Sequence, residues 1–148
     1  MNVFSDEYFM REALKEAQKA FEMGEVPVGA IVVANDKIIA RSHNLTQTLN
    51  DVTAHAEMQS ITSAANAING KYLNDCKMYI TLEPCTMCAA AIGWAQLNQL
   101  IYGASDTKKG FSLFHTTVLH PKTKVKSGVL EKECSDILSR FFKKIRKN

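Results

Sequence analysis

Two short segments hold the residues whose types and spacing can do chemistry: His55-Ala56-Glu57, and Pro84-Cys85-Thr86-Met87-Cys88. Cys85 and Cys88 stand three apart at the head of an apolar, alanine-rich stretch. A helix starting there places both thiols on one face, and its N-terminus favours the thiolate form that binds a soft divalent ion. A Cys-x-x-Cys pair by itself could equally be a redox couple, and an isolated histidine is more often structural than a ligand. Together, one imidazole and two thiolates make three protein ligands of the kind zinc takes. Structural zinc sites close with four, so a fourth tetrahedral position left open to water marks a catalytic centre. The competing structural reading needs a fourth ligand from His43, His115, His120, Cys76 or Cys134, none of which stands at a zinc-knuckle spacing. Glu57 is close enough to His55 to face the metal without ligating it. Zinc lowers the pKa of a bound water toward about 7, and a carboxylate in reach can take that proton and deliver it elsewhere. The plainer alternative for Glu57 is a first-turn glutamate stabilised by the helix dipole.

The elements that must position these groups alternate along the chain. Ser5 is a good N-cap, Asp6 and Glu7 suit a first turn, and Met10, Leu14, Ala17 and Phe21 recur at helical spacing until Gly24. Residues 28–33 and 37–41 are short β-rich runs around Asn35-Asp36, a pair that tolerates the left-handed backbone of a tight hairpin. The polar segment 42–53 reads as a loop, followed by a helix over about 55–68 closed by Asn69-Gly70. A strand over 77–82 ends before Pro84, a buried helix spans 85–95, and a further strand covers about 99–104. Beyond Asp106 the pattern weakens, until a basic helix over about 131–147 gathers Cys134, Ile137, Leu138 and Phe141 on one side. Helices alternating with strands after an opening hairpin imply an α/β arrangement in three layers around one mixed sheet.

No linker, repeat or low-complexity tract divides the 148 residues, 46% of them apolar, so a single domain over 1–148 is expected. No window approaches the roughly 18 consecutive apolar residues of a membrane span, and the charged start lacks a secretory apolar stretch. A cytoplasmic protein with no membrane association is expected, in which a close cysteine pair means metal or redox chemistry rather than a disulfide. Charge is lopsided: residues 1–104 carry 7 Lys+Arg against 11 Asp+Glu, whereas residues 105–148 carry 11 against 4. A basic C-terminal third suits a polyanion, although cations at a helix C-terminus also complement its dipole.

These residues resemble the cytidine/deoxycytidylate deaminase superfamily, whose known signature is H-x-E followed by P-C-x-x-C, and within it the bacterial tRNA adenosine deaminases that make inosine at the anticodon wobble position. The similarity runs nearly end to end. It rests on Gly24-Glu25-Val26-Pro27-Val28-Gly29-Ala30, Thr53-Ala54-His55-Ala56-Glu57 and Thr81-Leu82-Glu83-Pro84-Cys85-Thr86-Met87-Cys88. The resemblance implies a cytidine-deaminase-like three-layer α/β/α sandwich around a mixed five-stranded sheet, and one Zn2+ per subunit on His55, Cys85 and Cys88. It makes Glu57 the catalytic proton carrier, and it implies a homodimer that binds a tRNA anticodon stem-loop. By the same resemblance Asn44 orients the purine, Asp106 touches a ribose hydroxyl, Lys108 meets the phosphate backbone, and Phe142 with Lys143 offers a stacking face beside cations on the last helix. Three features depart from the family pattern: Val52 in place of a common proline, Ala90 in place of a common glycine, and an unusual stretch over 111–119.

Two other readings stay open. A guanine or other free-nucleobase deaminase would share the zinc site, and Ala91-Ile92-Gly93-Trp94-Ala95 bears some likeness to one, but a free base has no phosphates for the basic third to meet. An RNA-binding module with purely structural zinc would have no use for Glu57.

Overall fold

In a computed structural model, described over residues 3–114 and 117–146, the chain forms a five-stranded mixed sheet between two pairs of helices. In chain order the elements are α1 (Asp6–Glu22), β1 (Gly29–Ala34), β2 (Lys37–His43), α2 (Ala56–Ile68), β3 (Lys77–Leu82), α3 (Thr86–Ala95), β4 (Gln99–Ala104), a one-turn 3-10 helix (Phe111–Leu113), β5 (Lys124–Lys126) and α4 (Glu131–Arg146). The strand order is β2-β1-β3-β4-β5. β1 runs antiparallel to both β2 and β3, while β3, β4 and β5 are parallel.

Local chemistry accounts for the boundaries. The Ser5 hydroxyl accepts the Tyr8 amide at 3.1 Å and caps α1. Asn35 and Asp36 both take positive φ, 51° and 60°, and close the β1–β2 hairpin in two residues. α2 and α3 end on left-handed Asn69 and Gln96.

Side-chain alternation along the strands builds the two core layers. Ala30, Val32, Met78, Ile80 and Leu100 face α2 and α3, meeting Ala56, Ala64, Ala89 and Ile92. Ile31, Val33, Tyr79 and Ile101 face the other way, against Phe9, Met10 and Ala13 of α1 and Cys134 of α4. Gly103 sets how closely α4 can approach β4: a Cβ there would lie 2.3 Å from the Cys134 Sγ. The helix expected over 131–147 is observed through Arg146, and Lys147 lies outside the described residues. β5 and the 3-10 turn fall in the segment where sequence periodicity is weak. Among the described residues no helix is long and apolar enough to cross a membrane.

This topology brings the starts of α2 and α3 together beyond the C-terminal end of β3, the central strand. β3 delivers the chain directly into α3 through Glu83-Pro84-Cys85. α2 is anchored on β2 where the Ser42 hydroxyl donates to the Ala56 carbonyl at 2.6 Å and the Gln59 amide donates to the His43 carbonyl at 2.8 Å.

Candidate active site

His55 and Cys85 occupy equivalent places, each the extended residue just before its helix, with φ/ψ of −72/155 and −73/174. Neither side chain caps its own helix. Both turn instead toward a common point, where the His55 Nδ1 lies 3.7 Å from the Cys85 Sγ and 3.4 Å from the Cys88 Sγ. A tetrahedral zinc with ordinary Zn–N and Zn–S bonds would hold such donors about 3.5 Å apart, so the side chains fit the ion as they stand. Among the described residues these three alone form a metal-competent cluster; His43, His120, Cys76 and Cys134 do not join it, and His115 lies outside the described residues.

The electrostatics agree with a site made for a cation. The Cys88 thiol and then His55 hydrogen-bond to Cys85, holding it down at about 4, and the same thiol–thiolate contact pushes Cys88 far above the ordinary thiol range. His55 is raised, first by its hydrogen bond to Cys85 and, against the opposing effect of burial, by the charge of Glu57. Glu57, in the first turn of α2, is 3% exposed, and burial drives its carboxyl up to about 7. A divalent ion on the neighbouring donors would act in the opposite direction, favouring the ionised carboxylate that accepts a proton.

A cleft of about 580 Å³ opens beside this corner, with His55, Glu57 and Cys85 in its wall. Asn44, Asp106, Lys108 and Phe142 also line it, so four of the five side chains expected to meet substrate converge with the metal ligands. Asn44 is 7% exposed; its amide donates to the Val26 carbonyl at 3.3 Å and its Oδ1 accepts the Thr46 amide at 3.2 Å. Those bonds fix the side-chain plane at the pocket edge. The Asp106 Oδ1 accepts the Lys108 and Lys109 amides, both at 3.0 Å, leaving the Lys108 side chain exposed at the rim. Phe142 is half-exposed and packs edge-on to Phe141, which is itself buried against Phe21. Lys143 is exposed on α4 and does not line the cleft. Lys144 lies with its Nζ 5.4 Å from the Phe21 ring centroid.

Two buried carboxylates escaped the sequence reading. Glu25, fully buried, accepts the amides of Gln47 and Thr48 at 3.0 and 2.6 Å and the Thr48 hydroxyl at 2.7 Å, pinning the loop between Asn44 and His55. Burial alone would raise its pKa, but the hydrogen bonds from Thr48, Gln47 and Thr46 outweigh it and hold the carboxyl below the usual range. Glu83 anchors the opposite wall, accepting the Asp106 amide and the Ser112 amide and hydroxyl. Both stand inside the strings that carry the family resemblance; an acid among apolar residues, in the α1–β1 loop for Glu25 and just past β3 for Glu83, was the available signal.

The chain matches the MafB19-like deaminase family over residues 4–146. It is 46% identical to the tRNA-specific adenosine deaminase of Aquifex aeolicus, across 96% of this chain and 97% of that protein. A solved tRNA:A34 deaminase, which carries out A-to-I editing at the wobble position of transfer RNA, superposes with a TM-score of 0.82 at 46% identity, covering 88% of this chain and 99% of that one. A guanine deaminase from Bacillus subtilis aligns less fully, with a TM-score of 0.66 and 38% identity over 72% of this chain and 67% of that one.

Proposed function

The chain belongs to the tRNA-specific adenosine deaminases, and from that premise we propose that it is a hydrolase converting adenosine to inosine at the wobble position of tRNA, with one Zn2+ per subunit on His55, Cys85 and Cys88. The observation that carries the reading is the convergence of a three-donor metal corner, buried Glu57 and the Asn44 amide in one cleft. When bound, zinc supplies a Lewis acid that lets a water ionise near neutral pH. Glu57 takes the proton that this water gives up and passes it to the purine ring nitrogen as the water oxygen bonds to C6. It then carries the second proton of that oxygen to the departing amine, so one water is consumed, the C–N bond breaks and ammonia leaves. Asn44 presents both a donor and an acceptor at the base edge.

The flipped-out base is reached in a single-stranded loop, which suits an anticodon stem-loop held by Asp106 and Lys108 at the rim and by Phe142 and Lys143 on α4. A homodimer is part of the same reading, supported by a surface hollow that Trp94, 84% exposed, and Tyr72 both line. Sedimentation at a monomer's mass would remove the dimer. A cytoplasmic address belongs to the same proposal.

Purified zinc-loaded protein offered a wobble-adenosine stem-loop, free adenosine and guanine separates the enzymatic readings. Inosine in the stem-loop alone is expected. Xanthine from guanine with an untouched stem-loop would move the protein to purine salvage, the reading that the guanine deaminase likeness favours.

A further inference from the structure

Residues 83–85 form a short clasp with residues 106–112. The Phe111 amide donates to the Pro84 carbonyl at 2.9 Å, and Cys85 pairs with Gly110 in an isolated antiparallel bridge. The Glu83 side chain, 3% exposed, lies inside this clasp. Its Oε1 accepts the Asp106 amide at 3.1 Å; its Oε2 accepts the Ser112 amide at 3.0 Å and the Ser112 hydroxyl at 2.6 Å. The loop is wrapped so closely that a Cβ on Gly110 would stand 2.4 Å from the Glu83 carboxyl carbon. The proposed reaction does not use this carboxylate.

We infer that Glu83 is a positioning residue that locks the substrate-facing loop 105–112 to the metal-bearing start of α3, so that Asp106 and Lys108 are held at a fixed offset from Cys85. Three consecutive residues divide the work: Glu83 takes the loop's donors, Pro84 takes one more through its carbonyl, and Cys85 faces the metal site. Each of these three partners of the carboxylate is a donor, N–H, N–H or O–H. Only an acceptor with two free oxygens satisfies them all, and a glutamine of the same shape must turn an NH2 group toward an N–H. The loop would then be loosened at Asp106 and Ser112 while the backbone bonds of Pro84 and Cys85 still hold Phe111 and Gly110. This inference rests on the tRNA reading only for which ligand the loop meets.

The test is Glu83→Gln beside Ser112→Ala, in full-length zinc-loaded protein, with three readouts: zinc content, amide hydrogen exchange over 105–112, and KM and kcat on the wobble-adenosine stem-loop. For E83Q we expect zinc content unchanged and exchange at Asp106 and Ser112 accelerated. kcat/KM should fall about 10- to 100-fold, chiefly through KM, because a loop displaced by about 1 Å loses ground-state contacts. S112A, which leaves Glu83 in place, should move all readouts the same way by severalfold, and it carries the test should E83Q fold poorly. Unaltered exchange across 105–112 in both variants, or zinc lost in parallel with activity, would overturn the inference. Wild-type protein inert on the stem-loop would overturn the tRNA reading instead, leaving the amide-exchange outcome to judge Glu83.

Discussion

The metal corner and the rim loop over 105–112 lie side by side on one cleft yet are built in opposite ways. At the corner the working atoms are side-chain donors at the first residues of two helices, with Cys88 fully buried and Glu57 nearly so. At the rim the ordered atoms are backbone amides turned inward onto Glu83 and the Asp106 carboxylate, while the side chains of Lys108 and Lys109 stay in solvent. Chemistry is thus placed where relaxation is small, and contact with substrate where it can be adjusted. Changes at the corner should abolish turnover, and changes at the rim and α4 should weaken affinity while leaving the chemical step intact.

The largest expected effect is at a ligand. Cys88→Ala should lose zinc, measured by metal analysis, together with essentially all turnover, since two donors do not hold the ion in a catalytic geometry. Next, Glu57→Gln should keep its zinc while kcat falls about 10²- to 10⁴-fold, the usual weight of a positioned proton carrier. Turnover retained in E57Q would break the corner's division of labour. On the other side, Lys143→Ala with Lys144→Ala should lower stem-loop affinity and reduce the dependence of log K on log salt by about 1 to 2 units, with kcat for bound substrate preserved. An unchanged salt slope would take those lysines out of the phosphate contacts.

The smallest effect concerns acid stability. The Glu25 carboxyl is held below its unfolded value, so its contribution to folding is complete above the unfolded pKa and is lost as pH falls through the folded one. Thermal melts of Glu25→Gln against wild type should therefore differ most at neutral pH and converge as pH drops below about 4. A gap that persists undiminished into acid would mean that packing, not the charge, is what Glu25 provides.

Much of this was legible in the sequence for a physical reason. β3 and β4 fall where they were read because Lys77–Leu82 and Gln99–Ala104 are short, β-rich and mostly apolar runs bounded by turn residues. The metal residues sit in two compact strings whose internal spacing already defines a shared face. β5 left no such trace: all three of its residues are exposed, so it has no buried face to imprint a period. Glu25 and Glu83 were visible as residues but not as anchors, because their partners are amides more than 20 positions away, and an amide looks the same in every residue that could supply it. Helical spacing put Phe141 on the apolar side of α4, and the structure has it in the core with Phe142 on the cleft.

His55 and Cys85 stand where helices ordinarily begin with Ser, Thr, Asp or Asn, a replacement that costs a helix on the order of 1 kcal/mol. Two helices of the domain therefore start on residues whose side chains turn to the metal-competent corner rather than to the backbone. Holding that ion at 100 times its dissociation constant would add about 2.7 kcal/mol to folding. Metal supply would thereby become a term in the lifetime of the polypeptide itself: chains synthesised under zinc starvation should be cleared faster by proteases than loaded ones, a difference that pulse-chase with and without a chelator would reveal. The abundance of this protein would then report the metal status of the cell as well as the rate of its own synthesis.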